Sequence, residues 1–396
     1  MRTKAIYFYL FLVIQLYFFR VYFIPSNVAK GLALMTLFVA VPSSKEKERY
    51  FNKPFIGLLV CCMVNMVWCS FNRDQTPWEY VIGNEFTSML GLLVFFAIPF
   101  FKMHHDEVED VLTAVSLTCI GIYLVQYFFH ASLIVSEETM EDQGLLLRAR
   151  INGQCAFYYV FLKHLFSALE SPTIKDIMLI LLSLLCIVIL GFRSHIFALF
   201  LVTALLVWNR GKLRGKRLFS FISIIVALSL IIQTDVVQLK IDQMLEREEE
   251  QNFENEDYVR YRSYDYYTTV APENNIDKII GIGLPNGNST YGKQIQELKD
   301  YHIIWADWGL IGLSWVLGIP AVLCIVWYAL KAFFTPVKPE KSYLCYWFLF
   351  MILCSIVTRE IYRIGAFPIQ GVILYLIAKY RTGEAQLSFK QLWKRK

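Results

Sequence analysis

The feature that most constrains this chain is the recurrence of apolar blocks about twenty residues long, each long enough to cross a hydrocarbon layer of roughly 30 Å as a helix. Continuous runs such as Ile177–Leu190 are incompatible with a membrane barrel, whose strands alternate lipid-facing and lumen-facing residues. A backbone in lipid must satisfy its own hydrogen bonds, which leaves helices. Composition agrees: 56% of residues are hydrophobic, only 18% are charged and the mean hydropathy is +0.46, where a soluble chain carries about a quarter charged residues. The expected fold class is therefore all-α, a polytopic transmembrane helical bundle of about 12 spans with one large extracytoplasmic loop.

The blocks place spans at 5–23, 27–42, 54–71, 84–101, 110–130, 151–169, 175–191, 194–209, 217–233, 302–330, 342–358 and 364–380. The first block follows Arg2 and Lys4 as a signal peptide would. It lacks a small-residue cleavage site and is crowded with Tyr and Phe, so a retained first span is expected. With the N-terminus inside, the inward segments hold 22 Lys and Arg and the short outward ones hold 8. That bias predicts a multi-pass protein with both termini cytoplasmic. The chain then divides into an N-terminal bundle of about nine spans (1–233), a large outward loop (234–301), and about three further spans with a cytoplasmic tail (302–396). The loop is acidic, with 14 Asp and Glu against 7 Lys and Arg, and loops of this length are usually functional or disordered. No internal repeat is visible, which argues against a transporter built from duplicated halves.

The net charge of +5 does not indicate nucleic acid, because the basic residues lie beside apolar blocks and not on one patch. The nine cysteines form no CxxC pair. Nearly all fall inside apolar runs, so they read as small buried hydrophobes. No carboxylate cluster suits Mg²⁺, and neither a metal nor another cofactor is expected.

The chemistry-bearing residues sit on the outward side. Short outward loops carry Arg148, Arg150, Arg193, Arg359 and Arg363, and the large loop carries Arg260 and Arg262. Any one of them can be an interfacial arginine with its head in water. As a group they suit an anion, since the planar guanidinium grips phosphate or carboxylate in bidentate fashion. Arg193 lies in a turn bounded tightly by apolar helices, Gly191-Phe192-Arg193-Ser194-His195. Asp300, His302 and Asp307 precede a long span, where ionisable groups are costly and often functional. His302 or one of the aspartates is a candidate general base. Tyr264 and Trp305 are candidate sugar-stacking rings, alongside their commoner use in interfacial belts.

Arg150-Ile-Asn-Gly153 before one span and Phe192-Arg193-Ser194 opening another give an ordered pattern. Arg262 upstream of Ile280-Gly281-Ile282-Gly283, then Trp308-Gly309-Leu310-Ile311-Gly312, continue it. Over roughly residues 145–330 this order resembles the O-antigen polymerase and ligase superfamily. One departure is that the ligase branch places His-Asn a fixed distance before the glycine element, whereas here Ile303 follows His302 and the histidine lies nearer the glycine. The resemblance thus points to the polymerase branch. It implies a metal-independent glycosyltransferase of the bacterial cytoplasmic membrane that works on the outer leaflet. Its substrate would be undecaprenyl-diphosphate-linked oligosaccharide, with the bilayer, a flippase and a chain-length regulator as partners. A sugar hydroxyl would attack the anomeric carbon and the lipid diphosphate would leave, stabilised by fixed positive charge. Two other readings remain open: a ligase that moves finished glycan to another acceptor, and a lipid transporter. For the transporter, Lys163-His164 is the main intramembrane candidate pair.

Overall fold

The computed structural model describes residues 3–18, 24–43, 49–129, 141–143, 146–148, 151–209 and 259–382. The expected ninth span (217–233), the acidic run Glu246–Glu250 and Arg150 lie outside the described residues. Among the described residues the protein is all-α apart from one two-stranded antiparallel hairpin, β1 (Glu141–Gln143) with β2 (Leu146–Arg148), in which Glu141 pairs with Arg148. The first half supplies α1 (Thr3–Gln15), α2 (Ser26–Ser43), α3 (Asn52–Asn72), α4 (Pro77–Ile82), α5 (Asn84–Phe101) and α6 (His105–Phe128). Then come α7 (Ala156–Glu170), α8 (Ile174–Ile189) and α9 (Arg193–Asn209). Beyond the undescribed segment lie α10 (Val259–Asp265), α11 (Asn275–Ile280), α12 (Thr290–Asp300), α13 (Gly309–Leu317), α14 (Ile319–Phe333), α15 (Tyr343–Ser355) and α16 (Ala366–Tyr380).

Four of these helices, α2, α3, α5 and α6, are long and apolar enough to cross a membrane; α1, α9, α14 and α16 are shorter apolar helices. Burial separates central from peripheral helices. In α16 nearly every residue from Ala366 to Ile377 is buried, and α7 is buried almost as completely. A helix apolar on all sides belongs inside a bundle, and α16 packs on α5, α6 and α15 while α7 packs on α6, α8 and α15. By contrast α3 exposes Val60, Met63 and Val67, α2 exposes Phe38 and Val39, and α9 exposes Phe197 and Phe200. Large apolar side chains on the outside in such numbers suit a lipid solvent, because soluble monomers rarely present patches of that extent. All nine cysteines are free, and most are buried.

The span expected at 302–330 is not one helix. A short 3₁₀ turn, Trp305–Trp308, precedes α13, and the chain breaks again at Gly318 (φ +95°) before Pro320 restarts it as α14. The break has a partner: Ile282 N donates to Trp315 O at 2.8 Å and Gly283 N to Val316 O at 2.9 Å. The Asn65 amide bridges Ile280 O (2.8 Å) and Val316 O (3.0 Å). A Cβ on Gly281 would lie 2.5 Å from Gly318 N, so this approach needs glycine. The Gly-Ile-Gly motif is therefore the latch between the 259–309 segment and the bundle. The first helix stops at Gln15, short of the expected 23.

The helix ends sort into two groups. At one end Lys4 donates to Lys102 O (3.3 Å), Lys331 donates to Tyr50 O, Arg381 lies over the Tyr50 ring, and Val337 bridges Arg381. At the other end segments 68–79, 151–154, 192–195, 259–309 and 358–365 meet.

Candidate functional site

That second end contains a buried ionic network. Glu360, fully buried, sits in a 3₁₀ turn between α15 and α16 whose entry is fixed by Ser355, the hydroxyl of which accepts from Ile361 N at 2.8 Å. Its Oε2 accepts from Arg363 Nε (3.1 Å) and from Gln154 Nε2 (3.0 Å), and lies 3.7 Å from His195 Nε2. The His195 ring is held on its other nitrogen by Tyr158 Oη at 2.6 Å and stands 3.4 Å from Thr358 Oγ1. The Arg363 guanidinium rests over the Phe192 ring, 5.4 Å from its centre, in cation–π range. A buried carboxylate requires such company, since desolvating it alone costs several kcal/mol.

The network fastens three segments that are far apart in sequence. Gly153 N donates to Ile364 O at 3.2 Å, and a Cβ on Gly365 (φ +81°) would come within 2.4 Å of Gly153 N. Beside this seam the side-chain amide of Asn152, 2% exposed, has no hydrogen-bond partner on either atom, and Gln154 Oε1 also has none.

The turn Trp305–Trp308 closes over the same place. Tyr362 Oη donates to Gly309 O (2.9 Å), and Trp305 stacks on the Tyr362 ring at 6.0 Å and 18°. Burial pushes the Tyr362 phenol up, with the Asp307 carboxylate adding to the rise and the guanidinium groups of Arg359 and Arg363 opposing it. Asp307, Arg359 and Arg363 thus share one electrostatic neighbourhood. Helix α10 covers this turn in its turn: Trp308 Nε1 donates to Arg260 O (3.0 Å), Ser263 Oγ accepts from Ile304 N (3.0 Å), and Tyr264 packs on Trp308 and Trp315.

The residues singled out in the sequence fare differently. The structure brings Arg359, Arg363 and Asp307 around Tyr362; Arg193 lies between Phe192 and His195, which touch Arg363 and Glu360, and the segment bearing Arg260 and Arg262 packs on the Trp305–Trp308 turn. Arg193 and Arg262 are exposed, Arg359 is half-buried and Arg363 is buried. His302 and Asp300 are exposed at the end of α12, and His302 takes a positive φ of 61°. Trp305 is only 5% exposed and its face is used by Tyr362, so it packs the turn and is no open platform for a sugar. Tyr264 keeps about half of its surface. Arg148 stands on β2 with only its backbone described, and Arg150 is outside the described residues.

Glu360 and Gln154 were not singled out in the sequence, and His195 and Tyr158 were given no role. The signal for Glu360 was present: Arg359-Glu360-Ile361-Tyr362-Arg363 sets a carboxylate between two arginines where two apolar blocks meet. Arg73, at the end of α3, has a structural task. It pairs with Glu273 (2.5 Å) and with buried Asp277 (3.2 Å), which also accepts from Trp68 Nε1 at 2.7 Å. This staple joins the end of α3 to α11. Below it, Gln75 ties Leu284 O, Asn286 N and Ser289 Oγ together.

Fold and site together define a helical protein with four helices long and apolar enough to cross a membrane and an arginine-bearing turn cluster at one end. No protein-family model and no curated protein matches the chain.

Proposed function

We propose that the chain is a multi-pass glycosyltransferase of about 12 spans in the bacterial cytoplasmic membrane, with both termini cytoplasmic. On this reading it polymerises lipid-diphosphate-linked oligosaccharide units on the outer leaflet, as the O-antigen polymerases it resembles do. The observation that carries the reading is Arg363 held on buried Glu360, with Arg359 and Asp307 beside the neighbouring Tyr362 and Arg193 at the head of the helix whose His195 faces Glu360. A diphosphate leaving group needs fixed cations held where charge develops, and Glu360 with Phe192 fixes the Arg363 guanidinium before any substrate arrives.

In the transfer, a hydroxyl oxygen of the acceptor unit forms a bond to the anomeric carbon of the donor. The bond from that carbon to the diphosphate oxygen breaks, and its electron pair leaves with the lipid diphosphate between the arginines. The hydroxyl proton passes to Asp307, the one of the three sequence candidates carried by the Trp305–Trp308 turn that packs on Tyr362. His302 and Asp300, exposed on the approach to the turn, meet the incoming oligosaccharide.

The test is a polymer assay in membranes carrying Arg193→Ala or Arg262→Ala, two exposed positions whose loss leaves the buried network intact. Both variants are expected to shorten or abolish the chain-length ladder, and unchanged ladders in both would contradict the proposal. A null mutant separates the two branches of the superfamily: a polymerase null accumulates single units on the carrier, a ligase null strands long polymer there.

A further inference from the structure

The chain between α10 and α12 runs down beside α3 and comes back. Arg73, at the end of α3, donates to Ala271 O at 2.9 Å. Further down α3, Trp68 Nε1 holds Asp277 at 2.7 Å. Lower again, the Asn65 amide reaches Ile280 O at 2.8 Å. The chain then climbs. A Cβ on Gly283 would strike the Cys69 side chain, and Leu284 O accepts from Gln75, beyond the end of α3. Residues 271–284 therefore make an excursion whose lowest point, at Ile280 and Gly281, is level with Asn65.

Helix geometry gives the depth. Helix α3 has 21 residues, about 31 Å at roughly 1.5 Å each, which matches a hydrocarbon layer of roughly 30 Å. Its two ends then mark the boundaries of that layer. Asn65 lies two helical turns inside the Asn72 end, so the turn at Gly281 sits roughly 10 Å inside the layer. Backbone at such a depth has no water to bond, and non-helical segments are tolerated there only when protein satisfies them. Here it does. Gly281 N donates to Asp277 O (2.8 Å), Ile282 N and Gly283 N donate to Trp315 O and Val316 O, and Gly283 O accepts from Tyr291 Oη at 3.1 Å. All four residues of Gly281–Leu284 are buried. The outer side of the excursion is apolar. Ile276 and Ile279, three apart and so on one face of α11, are each about half exposed. Helix α11 packs on α3, which at the same level exposes Val64, Val67 and Phe71. Helix α12, by contrast, exposes Lys293, Gln296 and Lys299.

We propose that residues 275–284 are a re-entrant segment, seated at acyl-chain level in the leaflet at the arginine end, with lipid chains against Ile276 and Ile279. The lipid-facing row of α3 continues onto α11, and the glycine turn is buried behind it. Nothing in this placement depends on the polymerase reading; the membrane-crossing helices suffice. Because Ala271 stays level with Arg73, α10 with Arg260 and Arg262 is tethered to the boundary of the hydrocarbon layer.

The test uses full-length wild-type protein in nanodiscs that contain a phospholipid with a diazirine halfway along one acyl chain. After irradiation the lipid adducts are mapped by mass spectrometry. Adducts are expected on residues 275–280, as on the exposed face of α3, and not on α12. In parallel, Ile279→Cys and Gln296→Cys are treated with a charged, membrane-impermeant maleimide and the labelled peptides are quantified. Ile279→Cys is expected to react at least tenfold more slowly than Gln296→Cys. Adducts on α3 with none on 275–280 overturn the proposal, and so do equal labelling rates. Cross-linking of Ile279→Cys to the same position of a second copy also overturns it, since protein and not lipid would then cover this face. Should Ile279→Cys fail to fold, the wild-type adduct map decides alone.

Discussion

Two buried carboxylates, Glu109 near one end of the bundle and Glu360 near the other, are finished in different ways. Glu109, 3% exposed on α6, accepts from Lys163 (3.0 Å) and Tyr343 on one oxygen and from Lys341 (2.5 Å) and Tyr380 (2.8 Å) on the other. Asp106 accepts from the same Tyr380 hydroxyl at 2.7 Å. Four helices, α6, α7, α15 and α16, are thereby clamped by a network with compact ammonium partners and every carboxylate lone pair engaged. Around Glu360 the cation is a guanidinium, further arginines stand nearby and reach the surface, and the neighbouring amides of Asn152 and Gln154 keep unpaired atoms. A saturated network specifies packing. The second network keeps one amide donor and two amide acceptors unpaired, and that difference is what a bound ligand would use on the proposed reading.

The largest effect should come from the clamp. Glu109→Ala strands two lysines near the bundle interior, and removing one partner of a buried ion pair costs about 3–5 kcal/mol. Thermal unfolding of the detergent-solubilised variant should show that loss, and a variant as stable as the wild type would erase the contrast between the two ends. At the Glu360 end, Arg193→Ala should do the reverse. Stability should stay within about 0.5 kcal/mol, as for surface changes generally, while turnover falls by about 2–4 kcal/mol of transition-state stabilisation, a factor of roughly 30 to 1,000. Comparable damage to stability and turnover would make that arginine a packing residue.

Gly365→Ala sharpens the comparison between framework and site. It forces a methyl to within 2.4 Å of Gly153 N at a φ of +81°, a strain of order 1–3 kcal/mol. Because the seam joins the arginine turn to the start of α7, turnover should fall further than the unfolding midpoint suggests. A fully active, destabilised variant would show that the seam only holds the fold. The smallest of these effects is expected from Arg73→Ala, which leaves Asp277 with its Trp68 and Glu273 backbone donors. The loss of its three bonds, to Glu273, Ala271 O and Asp277, should appear as faster proteolysis between residues 259 and 301, with the rest of the bundle intact. Unchanged cleavage there would mean that the Gln75 and Gly281 contacts hold the segment without it.

The helical class was legible because lipid leaves one solution for the backbone, and blocks such as those now seen in α3 and α6 announce it directly. Helix interruptions were less so. The break at Gly318-Ile319-Pro320 lies inside an apolar run, and hydropathy alone cannot distinguish a broken helix from a long one. The pairing of Ile282 and Gly283 with Trp315 and Val316 that fills the break is tertiary. In the site, arginines on short outward loops could be recognised one by one, since charge among apolar blocks is conspicuous. Which of them share a location depends on how α7, α9, α15 and α16 pack, and no spacing in the sequence encodes that. Trp305 shows the opposite limit: an aromatic beside candidate catalytic residues looked like a sugar platform, yet its face was already committed to Tyr362. Lys163 likewise read as one of an intramembrane pair with His164, and its partner in the structure is Glu109.

The central claim is that the guanidinium cluster around Glu360 grips a diphosphate. The most direct measurement is the affinity of purified protein for a prenyl diphosphate and for the matching monophosphate, in the wild type and in an Arg193→Ala/Arg359→Ala double variant. The account predicts that the wild type binds the diphosphate at least tenfold more tightly than the monophosphate and that the double variant loses this preference. Equal affinity for both lipids in the wild type, or a preference that survives the double substitution, would contradict it.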